Sequence, residues 1–136
     1  MLSVIIAAHN EELIISKKLD SIFASEYPKD KIQLLIGTDY CSDSTDEIVS
    51  HYASNYPQIN HVVFKERSGK VRIVNELVDM AENDILILTD ANVLFSKETL
   101  FELAKHFKNN EIGLVDSHMK NYGLSETGIS LPEQSY

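Results

Sequence analysis

Four consecutive aliphatic residues, Ile85-Leu86-Ile87-Leu88, end in a small polar stretch, Thr89-Asp90-Ala91-Asn92. A short unbroken apolar run suits a strand with both faces buried, as in a parallel sheet. Open α/β sheets place their ligands just past the carboxyl ends of such strands. The run therefore predicts a central strand that delivers Asp90 and Asn92 to a site. Asp and Asn are also common turn formers, so this segment alone fits a plain polar turn equally well.

The rest of the chain repeats the motif of an apolar run followed by a polar exit. Leu2 to Ala8 reads as a buried first strand, with Asn10 as N-cap of a helix whose apolar face holds Ile15, Leu19, Ile22 and Phe23. Lys31 to Gly37 reads as a second strand. Ser44 and Glu47 have capping-box spacing for the helix that follows, with Asp43 read as a local turn or cap residue. His61 to Lys65 is a third strand, and a helix over about 71–81 turns Ile73, Val74, Leu77, Val78 and Ala81 inward. Ser96 caps a helix with Leu100, Leu103 and Phe107 inside, and Ile112 to Val115 is a fifth strand. Alternating strands and helices predict parallel strands, right-handed crossovers and helices on both faces of the sheet. Past residue 116 the pattern stops. This divides the chain into an α/β domain over 1–117 and a loop, or start of a second half, over 118–136.

Composition bounds the partners. The 136 residues suit one domain with a real core, and 21 acidic against 12 basic residues give a formal charge of -9. That balance argues against nucleic-acid binding, which needs a basic surface, but allows a phosphate ligand accompanied by a divalent cation. Cys41 is the one cysteine, read as an inert loop thiol, and fits a reducing cytoplasm. The first strand begins directly after Met1, so no signal peptide is expected, and no apolar stretch approaches the ~20 residues of a membrane helix.

The loops after the strands offer His9, Asn10 and Glu11, then Asp39, then Gly69-Lys70, then Asp90 with Asn92. A ring, several acids and one lysine suit a nucleotide. No G-x-G-x-x-G follows the first strand, and Gly69-Lys70 is not a P-loop, because Phe64 and Val71 stand where Gly and Ser or Thr belong. Phosphates would then be held mainly through a metal.

At this point four motifs, in order, resemble those of the inverting family 2 glycosyltransferases. Val4-Ile5-Ile6-Ala7-Ala8-His9-Asn10-Glu11 is similar to the opening V-I-I-P-A-Y/H-N-E, and Thr38 to Thr45 to the D-D-G-S-x-D-G-T loop. Gly69-Lys70 with Asn75 is similar to G-K-x-x-x-x-N, and Thr89 to Asn92 holds the D-x-D position. The resemblance covers roughly residues 2 to 110. It implies an α/β, Rossmann-like GT-A three-layer sandwich, truncated to the amino-terminal, donor-binding half. It also implies roles. Ala7 and His9 line a nucleobase pocket, Glu11 lies near the ribose or site floor, and Asp39 accepts from the base imide. Lys70 lies near the base or diphosphate, Asp90 faces the ribose and metal, and Asn92 takes a metal-ligand position. The donor would be a nucleotide-diphospho-sugar, most often a uridine one, with Mg²⁺ or Mn²⁺. The acceptor would be a polysaccharide, lipid or protein.

Three departures stand out. Thr38 replaces the first acid of D-D, Tyr40 replaces a glycine and is strained if that position needs φ > 0, and Asn92 replaces the second acid of D-x-D. No catalytic residue is named, because Asp116, Glu126 and Glu133 fit no general-base pattern. The base and the acceptor site are expected in a missing remainder, through which alone the protein would meet a membrane, at its inner face. The rivals are a catalytically silent nucleotide-binding or protein-interaction module, a nucleotidyltransferase lacking its glycine-rich loop, and a receiver domain lacking a clustered acid pair.

Overall fold

The computed structural model describes residues 1–105 and the strand at 113–116. The apolar runs form the strands β1 (Leu2–Ala8), β2 (Ile32–Asp39), β3 (Ile59–Phe64), β4 (Ile85–Asp90) and β5 (Gly113–Asp116). Between them lie α1 (Ile15–Phe23), α2 (Thr45–Asn55), α3 (Lys70–Met80) and α4 (Thr99–Ala104). The sheet order is β3-β2-β1-β4-β5 and every pairing is parallel. All the exits of β1 to β4 therefore open on one rim. The expected α/β layering holds, and residues 117–136 lie outside the described residues, as does Phe107. Among the described residues no helix is long and apolar enough to cross a membrane.

The pleat divides the core in two. Val4, Ile6, Leu34, Ile36 and Ile87 pack with Ile15, Leu19 and Ile22 of α1, Val49 of α2, and Leu100 and Leu103 of α4. On the opposite face Ile5, Ala7 and Leu35 pack with Ile73 and Leu77 of α3. Gly37 lets α3 approach closely, since a Cβ there would stand 2.5 Å from Ile73 Cγ2.

Three expected helix starts are corrected. Asn10 does not cap α1; the helix begins at Ile15, with Ile14 and Ile15 amides both bound to the Glu11 carbonyl. Asn10 instead takes φ 52° and braces the next loop, its Oδ1 accepting from the Ser42 amide at 2.8 Å. The Ser44–Glu47 capping box does not form, since Ser44 makes no side-chain cap. Asp43 does that work, accepting from the Thr45 amide at 3.0 Å and from Thr45 Oγ1 at 2.6 Å. Ser96 likewise pairs with Thr99 in a turn, and α4 starts at Thr99 with no side-chain cap. In the first case the loop after β2 supplies the partners that a local cap would have supplied.

Candidate functional site

The loops after β1 and β2 are knitted together. The Glu11 amide donates to Thr45 Oγ1 at 2.9 Å, the Glu12 amide to Asp43 Oδ2 at 3.2 Å, and the Ser44 amide to Glu12 Oε1 at 3.0 Å. Burial alone would raise the Asp43 pKa. The bonds from Thr45 and Glu12 outweigh it and hold the carboxyl below its ordinary value. Cys41 lies in this weave, its thiol reaching the Ala8 carbonyl at 3.8 Å, and burial pushes its pKa up. A raised thiol pKa fits the expected inert role. Tyr40 does take a positive φ, 53°, so the anticipated strain is present.

Asp39, fully buried at the end of β2, organises the loop between β3 and α3. Its Oδ1 accepts from the Ser68 amide at 2.7 Å, and its Oδ2 from the Gly69 amide at 2.9 Å and from Arg67 Nε at 3.2 Å. His9 Nδ1 lies 2.7 Å from the Asp39 carbonyl. Because a carbonyl can only accept, that nitrogen carries a proton. Thr38 shares β2 but faces the other way, where its Oγ1 meets His61 Nε2 at 3.0 Å. An acid at position 38 would thus not stand beside the Asp39 carboxylate. His61 also has Asp46 at 3.7 Å; burial lowers its pKa and Asp46 opposes the drop.

The end of β4 is gripped from both faces. Thr89 points to the α1 side and Asp90 to the α3 side, as strand alternation requires. Lys70, the first residue of α3, places Nζ 2.6 Å from Asp90 Oδ1. On the other side Lys18 of α1 donates to Thr89 Oγ1 at 2.6 Å and to the Val93 carbonyl, with Phe95 beneath its ammonium, 3.9 Å from Nζ to the ring centroid. Burial drives the Lys18 pKa well below the ordinary lysine value, and the Asp90 charge opposes this. Asp90-Ala91-Asn92-Val93 is itself a turn, closed by the Val93 amide on the Asp90 carbonyl at 3.2 Å.

Most of the expected site residues fall into one chain of contacts. Ala7 pairs in register with both Gly37 and Asp90, and with Lys70 and Asp90 it lines a cavity of about 40 Å³. His9 is joined to Asp39, Asp39 to the Gly69 amide, and Lys70 to Asp90. Asn92 follows in the same turn, and the Glu11 amide is tied to the start of α2. Two participants escape a reading of the sequence. Arg67 is one charge among several in a polar loop. Lys18 did carry a signal, because it sits among Ile15, Leu19 and Ile22 on the apolar face of α1, where a charge needs a buried partner.

Asp90 and Asn92 offer a carboxylate and an amide oxygen. Among the described residues no cluster of three His, Cys, Asp or Glu could hold a metal by itself. Two hard oxygens suit Mg²⁺ or Mn²⁺, ions commonly held by one or two protein groups, waters and a ligand's phosphates.

The family model described as Glycosyl transferase family 2 matches residues 3–135. The chain is 30% identical over 112 residues to the probable glycosyltransferase YdaM of Bacillus subtilis, covering 80% of this chain and 27% of that protein. It is 25% identical over 115 residues to the beta-monoglucosyldiacylglycerol synthase of Trichormus variabilis, covering 83% and 25%. It therefore spans about a quarter of the length of these relatives. Among solved structures, the mannosyltransferase PcManGT of Pyrobaculum calidifontis, in complex with GDP-Man and Mn²⁺, superimposes with a TM-score of 0.68 at 31% identity, over 73% of this chain and 30% of that one. S. aureus TarS 1-349, in complex with UDP-GlcNAc, gives 0.71 at 27% identity, over 76% and 30%. Fold, motif order and family match agree: this chain belongs to glycosyl transferase family 2 and has the GT-A fold of its structural neighbours.

Proposed function

We propose that the chain is the donor-binding half of an inverting glycosyltransferase that takes a sugar from a nucleotide-diphospho-sugar, a UDP-sugar above others. The observation that carries this reading is the convergence of His9, Asp39, Lys70, Asp90 and Asn92 on one rim of the sheet. Ala7 and His9 border the base, and the Asp39 carboxylate accepts from the base imide. Glu11 lies toward the ribose or site floor. Asp90 and Asn92 hold Mg²⁺ or Mn²⁺, which when bound neutralises the diphosphate leaving group. Lys70 can swing from Asp90 to a phosphate oxygen as donor and cation arrive. Its ammonium is a mobile point charge on a flexible stem.

The acceptor, a glycan or lipid, and the base that deprotonates it belong to a further part of the protein. That larger protein works in the cytoplasm, at the inner face of the membrane.

Calorimetric titration of UDP, GDP and CDP, each with Mn²⁺ and with EDTA, tests this. Metal-dependent binding that favours UDP is expected, and Asp90→Asn should remove the metal-dependent part. Binding of no nucleotide, even by a longer protein that includes the second half, would favour a silent module. The Lys70 ammonium already neutralising Asp90 is the feature that speaks for that reading.

A further inference from the structure

Lys18 is fully buried, yet it lies outside the donor contacts proposed above. Its direct contacts are a hydroxyl, a carbonyl and an aromatic ring, and the Asp90 charge acts on it without touching it. A buried ammonium with neutral partners costs stability relative to an apolar side chain of the same length.

The geometry gives the residue another use. Thr89 immediately precedes the Asp90–Val93 turn and Val93 closes it, so one ammonium spans the turn from both ends. Ser21, one turn further along α1, accepts from the Phe95 amide at 3.2 Å, and Ser25 Oγ reaches the Lys97 carbonyl at 3.3 Å. The 89–97 segment is thus fastened to α1 and to Ser25 just past its end, with Lys18 at the end where Asp90 and Asn92 emerge.

We propose that Lys18 is a positioning residue that sets the spacing of the Asp90 and Asn92 oxygens for a divalent cation. It acts through Thr89 and Val93 and touches neither donor nor metal. The inference rests on the nucleotide-sugar reading for its ligand, but not for its geometry. Two effects oppose each other. The ammonium repels a nearby cation through space, and it holds the turn in shape. If repulsion dominated, removing the charge would tighten metal binding. If positioning dominates, removing it loosens binding. Outer-shell partners of metal ligands typically matter by about 10- to 100-fold in affinity.

The test compares Lys18→Met and the milder Thr89→Val with the unaltered protein. UDP affinity is measured with Mn²⁺ and with EDTA, and amide hydrogen exchange is followed without ligand. Expected for Lys18→Met is a loss of at least about tenfold in the Mn²⁺-dependent gain in UDP affinity. Thr89→Val should show a smaller loss in the same direction. UDP affinity in EDTA should stay unchanged in both, and exchange should quicken across 90–95 and not in β1 or β2. A general structural defect would lower binding in EDTA as well, and that result overturns the proposal. So does an unchanged or increased metal-dependent gain, or unaltered exchange across 90–95. If Lys18→Met does not fold, Thr89→Val decides on the same criteria. An unaltered protein with no metal-dependent UDP binding would sink the donor reading and the cation role together. Exchange would still rule on whether Lys18 holds the turn.

Discussion

Asp39 and Asp90 end β2 and β4, with only β1 between them, and they are held by different chemistry. Asp39 is gripped by two main-chain amides and one guanidinium, Asp90 by a lysine side chain. Main-chain donors cannot leave without rebuilding the loop that carries them. A half-exposed lysine can turn away at little cost. The Asp39 end is therefore a fixed piece of the scaffold, and the Asp90 end can exchange one cation for another. The proposed function would use both: a rigid wall to orient the base, and a carboxylate released when the metal and diphosphate arrive.

The sharpest way to break this comparison is to neutralise each acid in turn. Asp39→Asn replaces an acceptor with a donor against buried amides, and should cost about 3 kcal/mol in urea denaturation. Asp90→Asn should cost under about 1 kcal/mol, because the Lys70 pair is partly solvated. Equal losses would mean that the two ends are equally structural. The ranking should reverse for metal-dependent UDP binding, where Asp90→Asn has the larger effect.

Gly37→Ala addresses what the two ends share, since Gly69 leads directly into α3 and Lys70 begins it. The new methyl would press on Ile73, with Phe64 and Leu77 also close. A cost of about 2 kcal/mol is expected, as for other overpacked cores. Both the EDTA and the Mn²⁺ affinities for UDP should weaken, because the whole helix must move. If only one weakens, the ends are less coupled through α3 than the packing implies.

His61 sharpens the rigid side. Burial holds its pKa below 6.5 in the folded chain, although Asp46 opposes this. Between 6.5 and that lower value the unfolded chain binds more protons. The stability that neutral His61 supports is thus fully present above pH 6.5 and is lost as pH falls through that window. The urea midpoint of the unaltered protein should drop over this range. His61→Gln should flatten the slope there, while leaving the steeper loss near the carboxylate range, where Asp43 protonates, unchanged.

Much of this architecture was legible because strands buried on both faces leave unbroken apolar runs, and α3 showed its inward face through Ile73 and Leu77. The rim was legible as a set of residues, since strand exits can be located once the strands are found. How those residues are bonded was not. Asn10 looked like a cap because its local pattern fits one, but its partner, Ser42, lies in another loop. Nothing local to Asp39 reveals that amides nearly thirty residues on fold back to it. Lys18 was visible only as an anomaly on an apolar face.

Tyr40 gives the smallest effect and the most direct reading of strain on the rigid side. It follows Asp39 at φ 53°, is largely exposed, and its amide is bound to the Phe64 carbonyl at 3.1 Å. A left-handed conformation costs a residue with a Cβ roughly 1–2 kcal/mol, and glycine's greater unfolded freedom offsets roughly 0.5–1 of that. Tyr40→Gly should therefore stabilise the protein by about 0.5 kcal/mol, read as a raised urea midpoint at constant m-value. The gain requires that the Asp39 loop keeps its shape, so UDP affinity in EDTA serves as the control. A gain without loss of affinity would mean that the tyrosine contributes only strain at this position. A loss of affinity would place its ring among the groups that border the base, beside His9.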